Sequence, residues 1–150
     1  DNVRLVPELG GGALLDVGCY CVSAARLVTG EEPERVHGER WVGRGGVDER
    51  FAATLRFPGG VTATMQCGFT GGPLDAIEVV GSDGWLRVPR AFVNPPGVVV
   101  VNGEEHRVEP GNHYRAELED FCAAIRGEHG VLNDRAEMLG QARALDALLG

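Results

Sequence analysis

Apolar residues fall on nearly every side of a helical projection from Ala13 to Val28, and Thr29-Gly30 ends the run, so this segment predicts a buried helix. Gly18 inside it costs about 1 kcal/mol relative to Ala, which points to a neighbour that packs closely there. From Arg35 to Val108 the period changes to two. Phe51, Ala53, Leu55 and Phe57 alternate with polar or small residues, and so do Val61, Ala63, Met65, Cys67 and Phe69. Pro58-Gly59-Gly60 between these runs is a turn by its chemistry, which makes them an antiparallel hairpin. Gly81 to Gly84 and Asn102-Gly103 mark two further hairpin turns. Helical spacing returns at Tyr114, Leu118, Phe121, Cys122 and Ile125, with Gly127 as a stop. A last helix starts near Asn133-Asp134, with Asp134 and Glu137 as its capping pair and Leu139, Ala142, Leu145 and Leu149 inward.

The order helix, strands, helix, helix predicts an α+β fold: an open, mainly antiparallel sheet with helices on one face and the other face uncovered. Residues 1–150 suffice for one domain with a core. The net charge of −8 and the lack of any Lys/Arg run argue against nucleic acid and anionic lipid as partners. Apolar stretches look interrupted short of the roughly 18 residues a membrane span needs, and the first residues carry no signal-peptide core. A cytoplasmic location is therefore the expectation, with Cys19, Cys21, Cys67 and Cys122 as reduced thiols. Cys19 and Cys21 point about 200° apart on a helix and cannot share a metal, and His37, His106 and His129 have no ligand spacing, so no metal site is expected.

Asp16 and Tyr20 are four apart in the first helix, one turn from each other, within an otherwise apolar segment. A phenol can donate a proton near neutral pH and, beside a cation, can also accept one; this chain has no lysine to serve as that cation. Spacing alone favours Tyr20 as a core aromatic with a satisfied hydroxyl, and Asp16 as a partner for a backbone or Arg donor. His113 and Tyr114 open the second helix, within reach of a polyol or as plain capping residues. Trp41 and Trp85 lie on strand patterns as core or interface residues. Ser23 lacks the sharp turn a nucleophilic serine needs.

The run Gly10-Gly11-Gly12-Ala13-Leu14-Leu15-Asp16-Val17-Gly18-Cys19-Tyr20 resembles the G-G-G-x-L-x-D-x-G-x-[HY] signature of the glucose-fructose oxidoreductase, inositol dehydrogenase and rhizopine-catabolism family (Gfo/Idh/MocA). Val79 to Pro89 is similar to that family's V-x-G-x-x-G-x-L hairpin, and Tyr114 to Gly127 to its Y-x-x-[EM]-x-x-x-F helix. The resemblance implies a substrate-binding and oligomerisation domain whose bare sheet face meets another subunit. It makes Asp16 and Tyr20 the catalytic pair facing a nicotinamide, Tyr20 moving the proton, with His113 and Tyr114 against the small-molecule substrate and Gly11 and Gly12 against the cofactor. Tyrosine at position 20 is more similar to the xylose and dihydrodiol dehydrogenase branches than to inositol dehydrogenase. The expected activity is NAD- or NADP-dependent oxidoreduction of a sugar, polyol or related compound.

The chain departs from the family in lacking a G-x-G-x-x-G turn and the E-K-P segment that bears the family's lysine. Nine residues before Gly10 leave no room for the domain's usual first strand. The chain thus reads as truncated, with the nucleotide-binding domain missing, inactive alone and binding no NAD or NADP by itself. The competing expectation is a non-catalytic, stand-alone binding or oligomerisation module.

Overall fold

The computed structural model describes residues 2–72, 74–92, 97–109, 111–130 and 133–150. Contacts gather into two compact units, Asp1–Gly71 with Arg135–Gly150, and Gly72–Asp134. Each is described by itself.

In the first unit, strands β1 (Arg35–Val42), β2 (Asp48–Arg56) and β3 (Thr62–Gly68) form an antiparallel sheet in that order. Alternation in β2 places Phe51, Ala53 and Leu55 inside and Ala52, Thr54 and Arg56 outside, because successive side chains of a strand leave opposite faces. The inner face is covered by a π-helical turn (Leu14–Gly18), by α1 (Cys19–Thr29), which continues from it, and by α3 (Arg135–Leu149). Leu14 and Val22 meet Phe51, Leu55, Phe57 and Met65 there, with Ala144 and Leu148 from α3. Gly18 has the close neighbours its position implied: a carbon added to it would lie 3.0 Å from the Cys67 Sγ and 3.3 Å from the Met65 methyl.

The outer face of this sheet is exposed and polar. Its cross-strand rows are Arg35, Arg56 and Thr62; His37, Thr54 and Thr64; Glu39, Ala52 and Gln66; and Trp41, Arg50 and Gly68. Phe51 points the other way, into the core. Trp41 is half exposed, not a core residue, and lies 4.6 Å beneath the Arg50 guanidinium. Trp85, in the other unit, is 43% exposed as well.

The second unit is a meander, β4 (Ala76–Gly81), β5 (Gly84–Pro89), β6 (Val98–Val101) and β7 (Glu104–Arg107), followed by α2 (His113–Ile125). At the β6–β7 turn Asn102 and Gly103 have φ of 49° and 91°, the left-handed pair that lets a two-residue turn follow the strand twist. The Asn102 side chain also accepts the Trp85 backbone N–H at 2.8 Å, tying the turn to β5. Asn112 caps α2 by accepting the Arg115 N–H. The apolar stripe of α2 (Tyr114, Leu118, Phe121, Ile125) is exposed, and no described residue of this unit is fully buried.

The α+β reading holds, with the antiparallel strands hydrogen-bonded as two sheets of three and four strands. Two expectations change. The buried residues of α3 are Gly140, Ala144 and Leu148; of the predicted inward set Leu139, Ala142, Leu145 and Leu149, Leu145 packs against the core and the other three are exposed. Small residues there let α3 approach closely: a carbon on Gly140 would clash with the Arg26 and Glu32 side chains. In addition, Pro7–Thr29 is, by length and composition alone, long and apolar enough to cross a membrane. The fold breaks that run at the left-handed Gly10 and at Gly12, and buries its Val22 and Arg26 face in the core.

Candidate functional site

The glycine-rich segment is a closed loop. Backbone N–H groups of Gly10, Gly11 and Gly12 donate to the carbonyls of Pro7, Val6 and Arg4 at 3.0, 3.0 and 2.9 Å. Gly11 sits so close to the Arg4 and Val6 carbonyls that a side-chain carbon would lie 2.6 and 2.8 Å from their oxygens. Gly12 has φ +135°, and a carbon there would run into the Asp48 carboxylate. That carboxylate accepts the Leu14 N–H at 2.7 Å, satisfying a donor that the start of the helix would otherwise leave orphaned. The amides of Gly11 and Gly12 are thus consumed by the loop itself. They form no cradle for a dinucleotide phosphate.

Asp16 lies in the π-helical turn, a feature often found at functional sites, and Tyr20 in the first turn of α1. The Nε of Arg4 is shared by both Asp16 carboxylate oxygens, at 2.9 and 2.8 Å. Tyr20 is 56% exposed, so it is not the core aromatic that the apolar helix allowed. An anchored carboxylate and a partly exposed tyrosine one turn apart can orient a hydroxyl-bearing compound and move one proton.

Behind this turn lies a buried polar hub. Arg26 donates to Glu32 at 2.9 and 2.5 Å, to Glu137 at 2.6 and 3.0 Å and to Gln141 at 3.2 Å, joining α1 to α3. Gln141 in turn donates to the Cys19 carbonyl at 2.8 Å, beside Tyr20 in sequence. Hydrogen bonding to Arg26, opposed by burial, holds Glu32 below the usual carboxylate range. The Cys67 thiol donates to the Ala13 carbonyl at 3.5 Å. Burial, reinforced by Cys21 and Asp48, pushes that thiol up to about 12, and burial raises Cys19 too.

His113 and Tyr114 begin α2 in the other unit, exposed, with ring centroids 4.3 Å apart. Among the described residues no three His, Cys, Asp or Glu side chains gather as a metal site.

The family model of the GFO/IDH/MocA C-terminal domain matches residues 1–87, which include the loop, Asp16, Tyr20 and the first sheet. The chain belongs to the GFO/IDH/MocA family. Among its GFO/IDH/MocA relatives, a D-xylose 1-dehydrogenase (NADP(+)) 2 from Haloferax volcanii is 35% identical over 99% of this chain and 48% of its own length. A trans-1,2-dihydrobenzene-1,2-diol dehydrogenase from Xenopus laevis is 37% identical over 70% of this chain and 34% of its own length. These are the two branches that tyrosine at position 20 resembled. The chain thus spans about half the length, or less, of these relatives. A 3-ketoreductase from Actinomadura kijaniata, solved with NADP and TDP-benzene, superposes with TM-score 0.89 at 28% identity, covering 99% of this chain and 48% of that one. An aldose-aldose oxidoreductase from Caulobacter crescentus, solved with glycerol, gives TM-score 0.88 at 27% identity, covering 98% and 47%.

Sequence reasoning missed Arg4, Asp48, Arg26 and Gln141. A lone Arg in an apolar helix was a usable signal for Arg26. Asp48 caps a helix 34 positions away, and no local pattern announces that.

Proposed function

We propose that this GFO/IDH/MocA chain is the substrate side of an NAD(P)-dependent oxidoreductase that acts on a hydroxyl or carbonyl group of a sugar, polyol or related compound. The observation that carries the reading is Tyr20, 56% exposed one turn beyond an Asp16 fixed by Arg4, inside the segment the family model matches. The activities of its relatives support the substrate class, since aldoses, a diol and a ketone share a carbinol or carbonyl centre.

Reduction of such a carbonyl adds a hydride to carbon and a proton to oxygen; oxidation removes both. A nicotinamide bound in the complete enzyme would supply or take the hydride. The glycine amides described above do not fit its phosphates, so its binding is assigned to sequence beyond this chain. This chain's share is the proton. As the substrate oxygen gains charge, the Tyr20 hydroxyl donates its proton to it and becomes a phenolate; in the reverse direction the phenolate takes the proton of a substrate hydroxyl, while Asp16 keeps the adjacent polar surface fixed.

In the complete two-domain enzyme, Tyr20→Phe is expected to leave the fold intact and lower turnover by roughly 10²- to 10⁴-fold. Unchanged turnover per folded molecule rejects the reading in favour of a non-catalytic module.

A further inference from the structure

We propose that Arg4 is a positioning residue for this site: it holds the Asp16 carboxylate in one orientation, one helical turn from the Tyr20 that moves the proton. The inference rests on the proton-transfer reading of Tyr20.

Arg4 is itself held by its own backbone. Its N–H donates to the Asn2 side chain at 3.1 Å, and its carbonyl accepts the Gly12 N–H at 2.9 Å, so the side chain departs from a fixed point. From there one nitrogen, Nε, reaches both oxygens of Asp16, whose own backbone N–H donates to the Gly12 carbonyl at 3.1 Å. Glycine loop, Arg4 and Asp16 therefore form a closed ring of contacts at the base of the helix that bears Tyr20.

A carboxylate held through both oxygens keeps one rotamer, and misplacing a polar group by about 1 Å can cost on the order of 10²-fold in rate. The chain has no lysine, and Arg4 is the cation that the structure pairs with Asp16. The pair is partly exposed, at 55% for Arg4 and 32% for Asp16, so it contributes little to stability, and the backbone bonds of Arg4 survive replacement of its side chain.

The test uses the complete enzyme with Arg4→Gln, Arg4→Lys, Asp16→Asn, the Arg4→Gln/Asp16→Asn double variant and Tyr20→Phe. The expected result for Arg4→Gln is a thermal midpoint near wild type, a kcat lowered roughly 10- to 100-fold and a KM within about threefold. Arg4→Lys recovers part of the loss, and Arg4→Gln adds little once Asp16 is Asn, because the two act as one unit. Unchanged kcat overturns the proposal. So does a raised KM at unchanged kcat, which marks direct substrate contact, or full additivity with Asp16→Asn. Impaired Tyr20→Phe with unimpaired Arg4→Gln removes this proposal alone; fully active Tyr20→Phe removes the site reading and the proposal together.

Discussion

Replacing Arg26 with Met removes a guanidinium that is 3% exposed while leaving the carboxylates of Glu32 and Glu137 in place. Taking one partner from a fully buried ion pair costs about 3–5 kcal/mol, because the survivor is left charged in a poor solvent. Here the survivors are half in water, at 57% for Glu32 and 42% for Glu137, so they rehydrate and the expected cost falls to about 2–3 kcal/mol. Met preserves most of the aliphatic stem, so little of this is lost packing. Urea unfolding of the 150-residue chain, followed by far-ultraviolet circular dichroism at constant slope, measures it. The pH dependence gives a second reading. Hydrogen bonding to Arg26 lowers the folded-state pKa of Glu32 below its unfolded value. The pair's stabilisation is therefore complete above the ordinary glutamate range near ~4.3 and is lost as pH falls through the depressed folded value. Arg26 is itself raised, so its contribution disappears only above the ordinary arginine range. The gap between wild type and Arg26→Met should be full at pH 7 and narrow in acid. Arg126→Met, which breaks only the surface pair with Glu128, serves as the control with no resolvable change. Equal stability of Arg26→Met and wild type at pH 7, or a gap that persists unchanged in acid, refutes the hub as a tether between α1 and α3.

Gly12→Ala should destabilise the chain by about 1–3 kcal/mol by urea unfolding, because φ +135° is strained for alanine and its methyl displaces the Asp48 cap from Leu14; part of that loss should already be present in Asp48→Ala. Cys67, with its thiol pushed up to about 12, should be among the slowest cysteines to alkylate in the native chain at pH 8, and the exposed Cys122 should react well before it; peptide mass spectrometry orders them, and early labelling of Cys67 contradicts the burial argument.

Local chemistry made much of this molecule legible. Alternation at Phe51, Ala53 and Leu55 identified the inner face of β2, and Pro58-Gly59-Gly60 and Asn102-Gly103 identified hairpins, because strand period and turn dihedrals depend on neighbours in the chain. The Gly10 to Tyr20 run carried the family for a similar reason: its residue types answer the loop's own backbone geometry. Of the proposed site, sequence offered Asp16 and Tyr20 but not the Arg4 that holds Asp16.

Whether Tyr20 is buried, what holds Asp16 and which face of α3 turns inward were decided by contacts between distant positions. The apolar run around Tyr20 predicts burial, yet the sheet covers only the Leu14, Val22 and Arg26 side of it, and Tyr20 stays exposed. Arg4 reaches Asp16 across 12 positions and Arg26 reaches Glu137 across 111, and only chain folding sets those distances. The face of α3 was misjudged because hydrophobicity favours Leu139 and Leu149, whereas close approach to Arg26 requires the missing side chain of Gly140 and the small Ala144. Pattern alone determined the elements, their order and the family. Only the tertiary structure decided which polar groups meet, because an ion pair or a cap depends on separation in space, which periodicity along the chain does not encode.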